Sequence, residues 1–276
     1  MAAIADKLDD HRGTLRAVRV LFIGDVVGSP GRRGLQKAMP GLRERHAPDL
    51  VIVNGENSAG GLGITEGTAD ELFAAGANVI TTGNHVYKHR EVYEYLDRSD
   101  RVIRPANYPH GNPGKGHTVV EVGAQRVAVV NLSGAVGLKV ARSPFAEIDA
   151  VLQRLEGEAD AVIVDFHAEV TSEKVAMGWH LDGRVGAVFG THTHVPTADA
   201  RVLPGGTAYI SDAGMTGSRA GVIGVKREQA LEAFLTQMPV RFETAEEDVW
   251  VMGAIVELGP NGLAESIEQV LVPAAD

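Results

Sequence analysis

The chain has 276 residues, of which 44% are apolar and 22% charged, with 26 basic and 36 acidic side chains and no cysteine. This length allows one large domain or two small ones, and the composition supports a hydrophobic core and excludes wholesale disorder. The net charge of −10 argues against a protein that coats bulk nucleic acid, and the lack of cysteine excludes disulfides, thiolate metal ligands and a cysteine nucleophile.

Residues 1–17 are mixed charged and polar, and we predict that they form an extension ahead of a single domain over residues 18–276. The extension lacks the apolar core of a signal peptide, and no apolar run in the chain approaches the roughly 20 residues that span a membrane. We therefore expect a soluble, cytoplasmic protein with no membrane partner.

The first half of the domain alternates strands and helices. Buried strands are predicted from the apolar runs at residues 18–23, 50–53 and 78–82. Helices are predicted at residues 32–46, with an interruption at Pro40, and from Thr65 to about Ala75. This alternation of helices with near-continuous apolar strands is typical of an α/β fold, with stacked sheets or helices covering both faces of a sheet.

The second half is richer in strands. Residues 118–122 and 126–131 flank a short link and are predicted to form a hairpin, and residues 144–155 are predicted to form a helix. Further strands are predicted at residues 161–164, 186–189, 208–210, 249–258 and 267–272.

Polar side chains with metal-binding chemistry follow five of the apolar runs. In parallel α/β sheets, ligands bind beyond the carboxyl ends of the strands, so these residues are expected to converge on one rim if the strands are largely parallel. The expected rim contains Asp25, Glu56, Asn57, Asn84, His85, His167, His192 and His194, with Asp165 close by.

These donors exceed the needs of one tetrahedral ion and suit two ions that share a carboxylate. Oxygen and nitrogen donors without thiolate favour ions such as manganese, iron, zinc or cobalt. His192 and His194 lie two residues apart, and on an extended segment their side chains would share a face beside neighbouring ions. Each motif alone has an ordinary alternative: Gly24-Asp25 as a turn, His167 as a core histidine. Their joint occurrence favours a site.

The motifs resemble the calcineurin-like metallophosphoesterases, and within them the YmdB family of bacterial phosphodiesterases. The matching segments are residues 21–28 (LFIGDVVG), 54–57 (NGEN), 83–85 (GNH), 104–107 (RPAN), 165–169 (DFHAE) and 190–194 (GTHTH). The resemblance covers roughly Val18 to Val272. It implies a four-layer α/β/β/α sandwich, a dinuclear metal centre and hydrolysis of 2′,3′-cyclic nucleotides such as 2′,3′-cyclic AMP.

The resemblance also implies a role for each residue. One ion would be held by Asp25, Glu56, Asn57 and His194, and the other by Glu56, Asn84, His167 and His192, with Glu56 bridging. A metal-bridging hydroxide would attack phosphorus, and His85 would not ligate but would protonate the leaving oxygen.

Two departures from the wider superfamily favour the narrower assignment. The usual Asp-x-His motif reads Asp25-Val26-Val27, and Glu56 replaces the usual bridging aspartate. Asn57 can replace the missing histidine, and its harder amide oxygen favours iron or manganese, with magnesium or zinc as alternatives.

Other functions stay open at this point. The same metals could serve a phosphomonoesterase, a cyclic dinucleotide hydrolase or a ribonuclease, and a regulatory RNA- or protein-binding module could use them only for stability. The expected partner is a small phosphodiester substrate, and the sequence is also compatible with a homo-oligomer.

Overall fold

The computed structural model describes residues 17–139 and 142–274. The predicted extension therefore lies outside the described residues, except for Ala17. The helices are α1 (Gly28–His46), α2 (Glu66–Ala74), α3 (Val92–Arg98), α4 (Pro144–Leu155), α5 (Thr171–Leu181) and α6 (Arg227–Thr236). The strands are β1 (Val18–Ile23), β2 (Asp25–Val26), β3 (Leu50–Asn54), β4 (Val79–Thr81), β5 (His117–Val122), β6 (Gln125–Ser133), β7 (Ala161–His167), β8 (Ala187–Thr191), β9 (Arg201–Val202), β10 (Ala208–Ile210), β11 (Met215–Ser218), β12 (Val249–Leu258) and β13 (Ala264–Pro273).

The strands form two mixed sheets. The first has the order β2-β11-β12-β1-β3-β4, with β13 also paired to β12, and the second has the order β5-β6-β7-β8-β10-β9. In the first sheet β1, β3 and β4 run parallel, and in the second β6, β7, β8 and β10 run parallel. The predicted α/β class is confirmed, and the parallel strands are the ones that precede the metal-donor motifs.

Three apolar clusters hold the layers together. One cluster lies between the sheets, where Phe22 of β1 and Phe189 of β8 stack with ring centroids 4.4 Å apart. A second cluster packs α1, α2 and α3 on the outer face of the first sheet, and a third packs α4 and α5 on the outer face of the second. Near the carboxyl ends of β3 and β7, the Asn54 amide donates to Asp165 Oδ2 at 2.9 Å, so these ends of the two sheets meet.

The predicted interruption of the first helix at Pro40 is wrong, since α1 begins earlier and runs unbroken from Gly28 to His46. Proline has no backbone N–H to donate to the carbonyl of Gln36 in the preceding turn. Both residues lie on the exposed face of the helix, so water can bond this carbonyl instead. Leu35 and Met39 are buried before the proline and Leu42 after it, which anchors both halves of the helix in the same core.

Of the other elements, some agree with the predictions made from the sequence and some were not predicted. The hairpin β5–β6 and helix α4 are confirmed, and Thr65 caps α2 through a hydrogen bond from the Thr68 backbone. Helix α6 was not predicted because Ala230 is its only buried residue, so it shows no apolar stripe of helical period. Among the described residues, no helix combines the length and the apolar character that a membrane crossing needs.

Candidate metal centre

The side chains expected at the rim lie together between the two sheets. All eight are linked into one cluster by contacts of 3.9 Å or less, with the contact of 3.7 Å between His167 Nδ1 and Asp25 Oδ1 joining its two sides. Asp25 begins β2 just after β1 ends, Asn57 lies in the loop that follows β3, His85 follows β4, and His192 follows β8. The convergence follows from the parallel pairing of these strands, because parallel strands end on the same edge of a sheet.

Glu56 and His167 form the centre of the cluster, and both are fully buried. His167 Nε2 lies 3.1 Å from Glu56 Oε1, 3.0 Å from Asn84 Oδ1 and 3.0 Å from His192 Nδ1. Donor atoms of Glu56, His167 and His192 all lie within 4.8 Å of one another, a spacing that one metal ion can bridge.

Asp25, Asn57 and His194 form the other side of the cluster. Asn57 Nδ2 lies 3.0 Å from His194 Nε2, which in turn lies 3.9 Å from Asp25 Oδ1. Asp25 Oδ1 and Asn57 Oδ1 are both buried and have no hydrogen-bond partner among the described residues. A buried oxygen without a partner costs free energy, so binding of a cation would stabilise these two atoms.

Each histidine has its outer ring nitrogen held by another group. His167 Nδ1 donates to Thr191 Oγ1 at 2.9 Å, and His192 Nε2 donates to Glu169 Oε2 at 2.7 Å. His194 Nδ1 donates to the Ile223 carbonyl oxygen at 2.9 Å. In these three rings the opposite nitrogen faces the cluster, where it could bind a metal ion once unprotonated, which is the arrangement found around histidines that bind metals.

The electrostatics of the cluster favour a positive charge at its centre. Burial lowers the pKa of His167, but the charges of Glu56, Asp25 and Asp165 outweigh it and raise that pKa to about 9. Burial likewise opposes ionisation of Glu56, yet His167 holds the pKa of this carboxyl well below its usual value. Burial and the neighbouring His167 charge lower the pKa of His192. A proton on His167 thus balances the buried carboxylates where a cation would otherwise do so.

The segment that carries His192 and His194 is not extended, so that expectation is wrong. His192 has a φ of 97° and His194 a φ of 67°, a left-handed conformation that is rare outside glycine. Thr193, between them, donates to Asp212 Oδ2 through its hydroxyl at 2.6 Å and its backbone N–H at 3.2 Å. Asp212 fixes the bend, which directs the two imidazoles to opposite sides of the cluster.

A buried ion pair supports this bend, and sequence reasoning did not find it. Lys174 Nζ lies 2.7 Å from Asp212 Oδ2, and the two side chains are 3% and 1% exposed. Neither residue belongs to a predicted motif: Lys174 lies on α5, shortly after the segment at residues 165–169, and Asp212 follows β10.

His85 lies at the solvent side of the cluster, and its side chain is 32% exposed. Its Nδ1 donates to Glu56 Oε1 at 3.0 Å, and its Nε2 lies 3.2 Å from the Asn84 amide nitrogen. Its backbone N–H also donates to Glu56 Oε2 at 3.0 Å. The partners of His85 are therefore side chains expected to bind metal, and the ring borders open space.

The cluster forms the floor of a cleft of about 220 Å³. Its charged and polar floor is made by Glu56, Asn57, His85, His192 and His194, and its walls are lined by Val27, Gly60, Gly61, Leu62, Ile223, Val225, Phe242, Glu243 and Thr244. A small ligand can therefore reach the buried donors from solvent, as a catalytic metal site requires.

Known proteins are similar to this chain in sequence and in fold. A sequence profile of the family described as YmdB-like protein matches residues 21–270. A Bacillus subtilis (strain 168) protein named 2′,3′-cyclic-nucleotide 2′-phosphodiesterase is 44% identical over 256 residues, covering 92% of this chain and 97% of that protein.

Two crystal structures resemble the fold over nearly its whole length. A hypothetical protein from Thermus thermophilus has a TM-score of 0.88 at 42% identity, covering 94% of this chain and 100% of that one. A phosphatase from Mycoplasma pneumoniae has a TM-score of 0.87 at 34% identity, covering 94% of this chain and 95% of that one.

Proposed function

The chain belongs to the YmdB-like protein family, and from this premise we propose that it is a metal-dependent phosphodiesterase that hydrolyses 2′,3′-cyclic nucleotides. The observation that carries the proposal is the pair of buried, unpartnered oxygens, Asp25 Oδ1 and Asn57 Oδ1, in a donor cluster that also forms the floor of an open cleft. A structural metal site needs no access from solvent, whereas a catalytic one does.

The proposed cofactor is a pair of divalent ions, with iron or manganese preferred and zinc or magnesium as alternatives. Asp25, Glu56, Asn57 and His194 would hold one ion; the donors of the other would be Glu56, Asn84, His167 and His192. The donor set fits, because it combines carboxylate, amide and imidazole ligands without thiolate, a mixture that suits these ions. When bound, the ions would polarise the phosphoryl group and lower the pKa of a water molecule.

The reaction adds one water molecule across one ester bond of the cyclic phosphate. Following the name of the Bacillus subtilis relative, the bond broken is the one between phosphorus and O2′, so hydroxyl goes to phosphorus and a proton goes to O2′. The product is the nucleoside 3′-phosphate. The proposal includes no covalent intermediate, because water supplies the oxygen that goes to phosphorus.

His85 is the proposed source of the proton on O2′. Its ring borders the cleft, and both of its side-chain partners, Glu56 and Asn84, are proposed metal ligands. If Glu56 and Asn84 bind a cation, a ring nitrogen of His85 would be free to donate its proton to the leaving oxygen.

The wider organisation of the protein belongs to the same proposal. We propose one catalytic domain over residues 18–276 with residues 1–17 as an extension. The partner is a small phosphodiester, and a cytoplasmic location stays a prediction.

The test is turnover of 2′,3′-cyclic AMP by protein reconstituted with manganese, with the products separated by chromatography. The wild type is expected to form the 3′-phosphate, and His85→Ala is expected to keep its metal and lose about 10²- to 10⁴-fold in kcat. His110→Ala, which removes an exposed histidine on a loop, is the matched control and should behave as wild type. A metal-loaded wild type that leaves 2′,3′-cyclic AMP intact but cleaves a phosphomonoester would overturn the proposed substrate.

A further inference from the structure

Three large apolar side chains are left exposed around the mouth of the cleft. Leu62 is 44% exposed, Ile223 47% and Phe242 53%, and all three line the cleft whose floor holds the metal-donor cluster. Apolar surface that faces water beside a polar floor is a common feature of a ligand site, because a ligand can cover it on binding.

The wall that carries Ile223 and Phe242 is fixed directly to the metal-donor cluster. The Ile223 carbonyl accepts the hydrogen bond from His194 Nδ1, and Ile223 has a φ of 45°, a costly conformation for a β-branched residue. Val225 pairs with Thr244 in an antiparallel bridge, and the Lys226 N–H donates to the Glu243 carbonyl at 2.9 Å. These contacts hold the backbone next to Phe242 beside the cleft that its side chain lines.

Leu62 belongs to a second, separately held segment of the cleft. Its carbonyl accepts a hydrogen bond of 2.9 Å from His89 Nε2, and the Ala59 N–H donates to the Gly63 carbonyl at 2.9 Å. Gly61 has a φ of 96°, and a Cβ at this position would lie 3.3 Å from Thr244 Cγ2. The two segments therefore meet closely below the exposed side chains.

We propose that this apolar mouth, formed by Leu62, Ile223 and Phe242, is the binding site for the nucleobase of the substrate, with the Phe242 ring as the stacking face. The inference rests on the proposed function, which places the cyclic phosphate on the floor of the cleft. A ribose joins that phosphate to the base, so the base falls within the same cleft, above the donor cluster. Bases have two flat apolar faces, and aromatic rings bind them with little regard to sequence.

The test compares two substrates that share the reacting group and differ only in the base. 2′,3′-Cyclic AMP carries adenine, and ribose 2,3-cyclic phosphate carries none. For the wild-type protein loaded with manganese, kcat/KM is expected to be at least about tenfold higher with the nucleotide. Phe242→Ala should lower this preference by roughly 5- to 100-fold, mainly through KM, while Phe242→Tyr should retain it because the ring remains.

Phe234→Ala is the matched control, because Phe234 is 79% exposed on α6 and does not line the cleft. This variant should keep the wild-type preference. Equal kcat/KM for both substrates in the wild type, or an undiminished preference in Phe242→Ala, would overturn the base site and leave the phosphodiesterase in place. Failure of the wild type to cleave either substrate would instead overturn the proposed function, and the base site with it.

Discussion

Thr191 donates a hydrogen bond of 2.7 Å from its hydroxyl to Asp165 Oδ1, deep between the two sheets. The same hydroxyl accepts from His167 Nδ1 at 2.9 Å, so Asp165 acts on His167 through Thr191. The other carboxylate oxygen, Oδ2, accepts from Thr81 and from Asn54 of the opposite sheet. Burial raises the pKa of Asp165 to about 6, which leaves it mainly ionised at neutral pH. One buried carboxylate thus joins the sheets and orients a proposed metal ligand.

Asp165→Asn should therefore weaken metal binding. The amide has the same shape, but one end becomes a donor, and the Thr81 hydroxyl and the Asn54 amide already donate to the Oδ2 position. Loss of an outer partner of a metal-binding histidine typically lowers metal affinity by about 10- to 100-fold. The affinity can be measured by competition with a chromophoric chelator.

Asp149→Asn provides the control for the same chemical change at an exposed position, where Asp149 pairs with Arg184 and His180. It should leave metal affinity unaltered. If both variants bind metal as tightly as wild type, Asp165 does not act on the centre through Thr191.

The buried pair of Lys174 and Asp212 makes a second prediction, on stability. Lys174→Met removes the ammonium group and leaves the buried Asp212 carboxylate without its ion-pair partner. The change should lower the free energy of unfolding by about 3–5 kcal/mol. Urea denaturation of the metal-free protein measures this cost. Lys226→Met breaks the exposed pair of Lys226 and Glu243, and it should change stability little. Similar losses in the two variants would contradict the role assigned to burial.

The extent to which the sequence predicts this site depends on the kind of atom involved. Asp25, Glu56 and His167 were predictable, because each lies within three residues of the end of a continuous apolar run, and parallel strands bring such positions together. Thr191 lies within a predicted motif, but its role depends on contacts across two strands and two sheets. The Ile223 carbonyl carries no side-chain signal at all, although it orients His194.

The same limit applies to local structure. The left-handed φ of His192 depends on the hydrogen bond between Thr193 and Asp212. Asp212 is distant from this segment in the sequence, so the spacing of residues does not predict the contact. Pro40 shows the converse case, in which buried neighbours on both sides keep a helix intact where the local signal favours a break.

A third prediction concerns pH. Burial, and then the charge of Arg154, lower the pKa of His117 below its ordinary value near 6.5, against a smaller opposing effect of Glu147. The unfolded chain therefore takes up this proton at a higher pH than the folded chain does. The stabilising contribution is complete above the unfolded-state pKa and is lost as the pH falls through the folded-state pKa.

His117→Gln should accordingly lose less stability than wild type between pH 7.5 and an acidic pH near 5, as measured by denaturant midpoints. His110→Gln, an exposed position on a loop, should follow the wild-type curve. Parallel curves for wild type and His117→Gln would show that His117 does not contribute to acid sensitivity.

Removal of metal should lower stability as well as activity. In the described residues, Asp25, Glu56 and Asp165 are all fully buried around the cluster, and a cation that binds only the folded state stabilises it by mass action. Prolonged dialysis against a chelator should abolish turnover and lower the thermal midpoint by several degrees, and manganese should restore both. An unchanged midpoint in the stripped protein would contradict a metal site at this cluster.

The last prediction concerns Gly83, directly before Asn84 and His85. A Cβ at this position would overlap sterically with Glu56 Oε2 and with the His167 ring, and both side chains are fully buried. Neither can withdraw without breaking the 3.1 Å contact between Glu56 Oε1 and His167 Nε2 that forms the centre of the cluster. Gly83→Ala should therefore reduce metal content and turnover together, because the added methyl group occupies space that the donor side chains need.

Gly67→Ala, in α2 with no neighbouring atom within 4 Å of its Cβ, controls for loss of glycine and should keep full metal content. Bound metal can be measured by atomic emission. A full metal content in Gly83→Ala would contradict the prediction, because it would show that the donor side chains can make room for the methyl group.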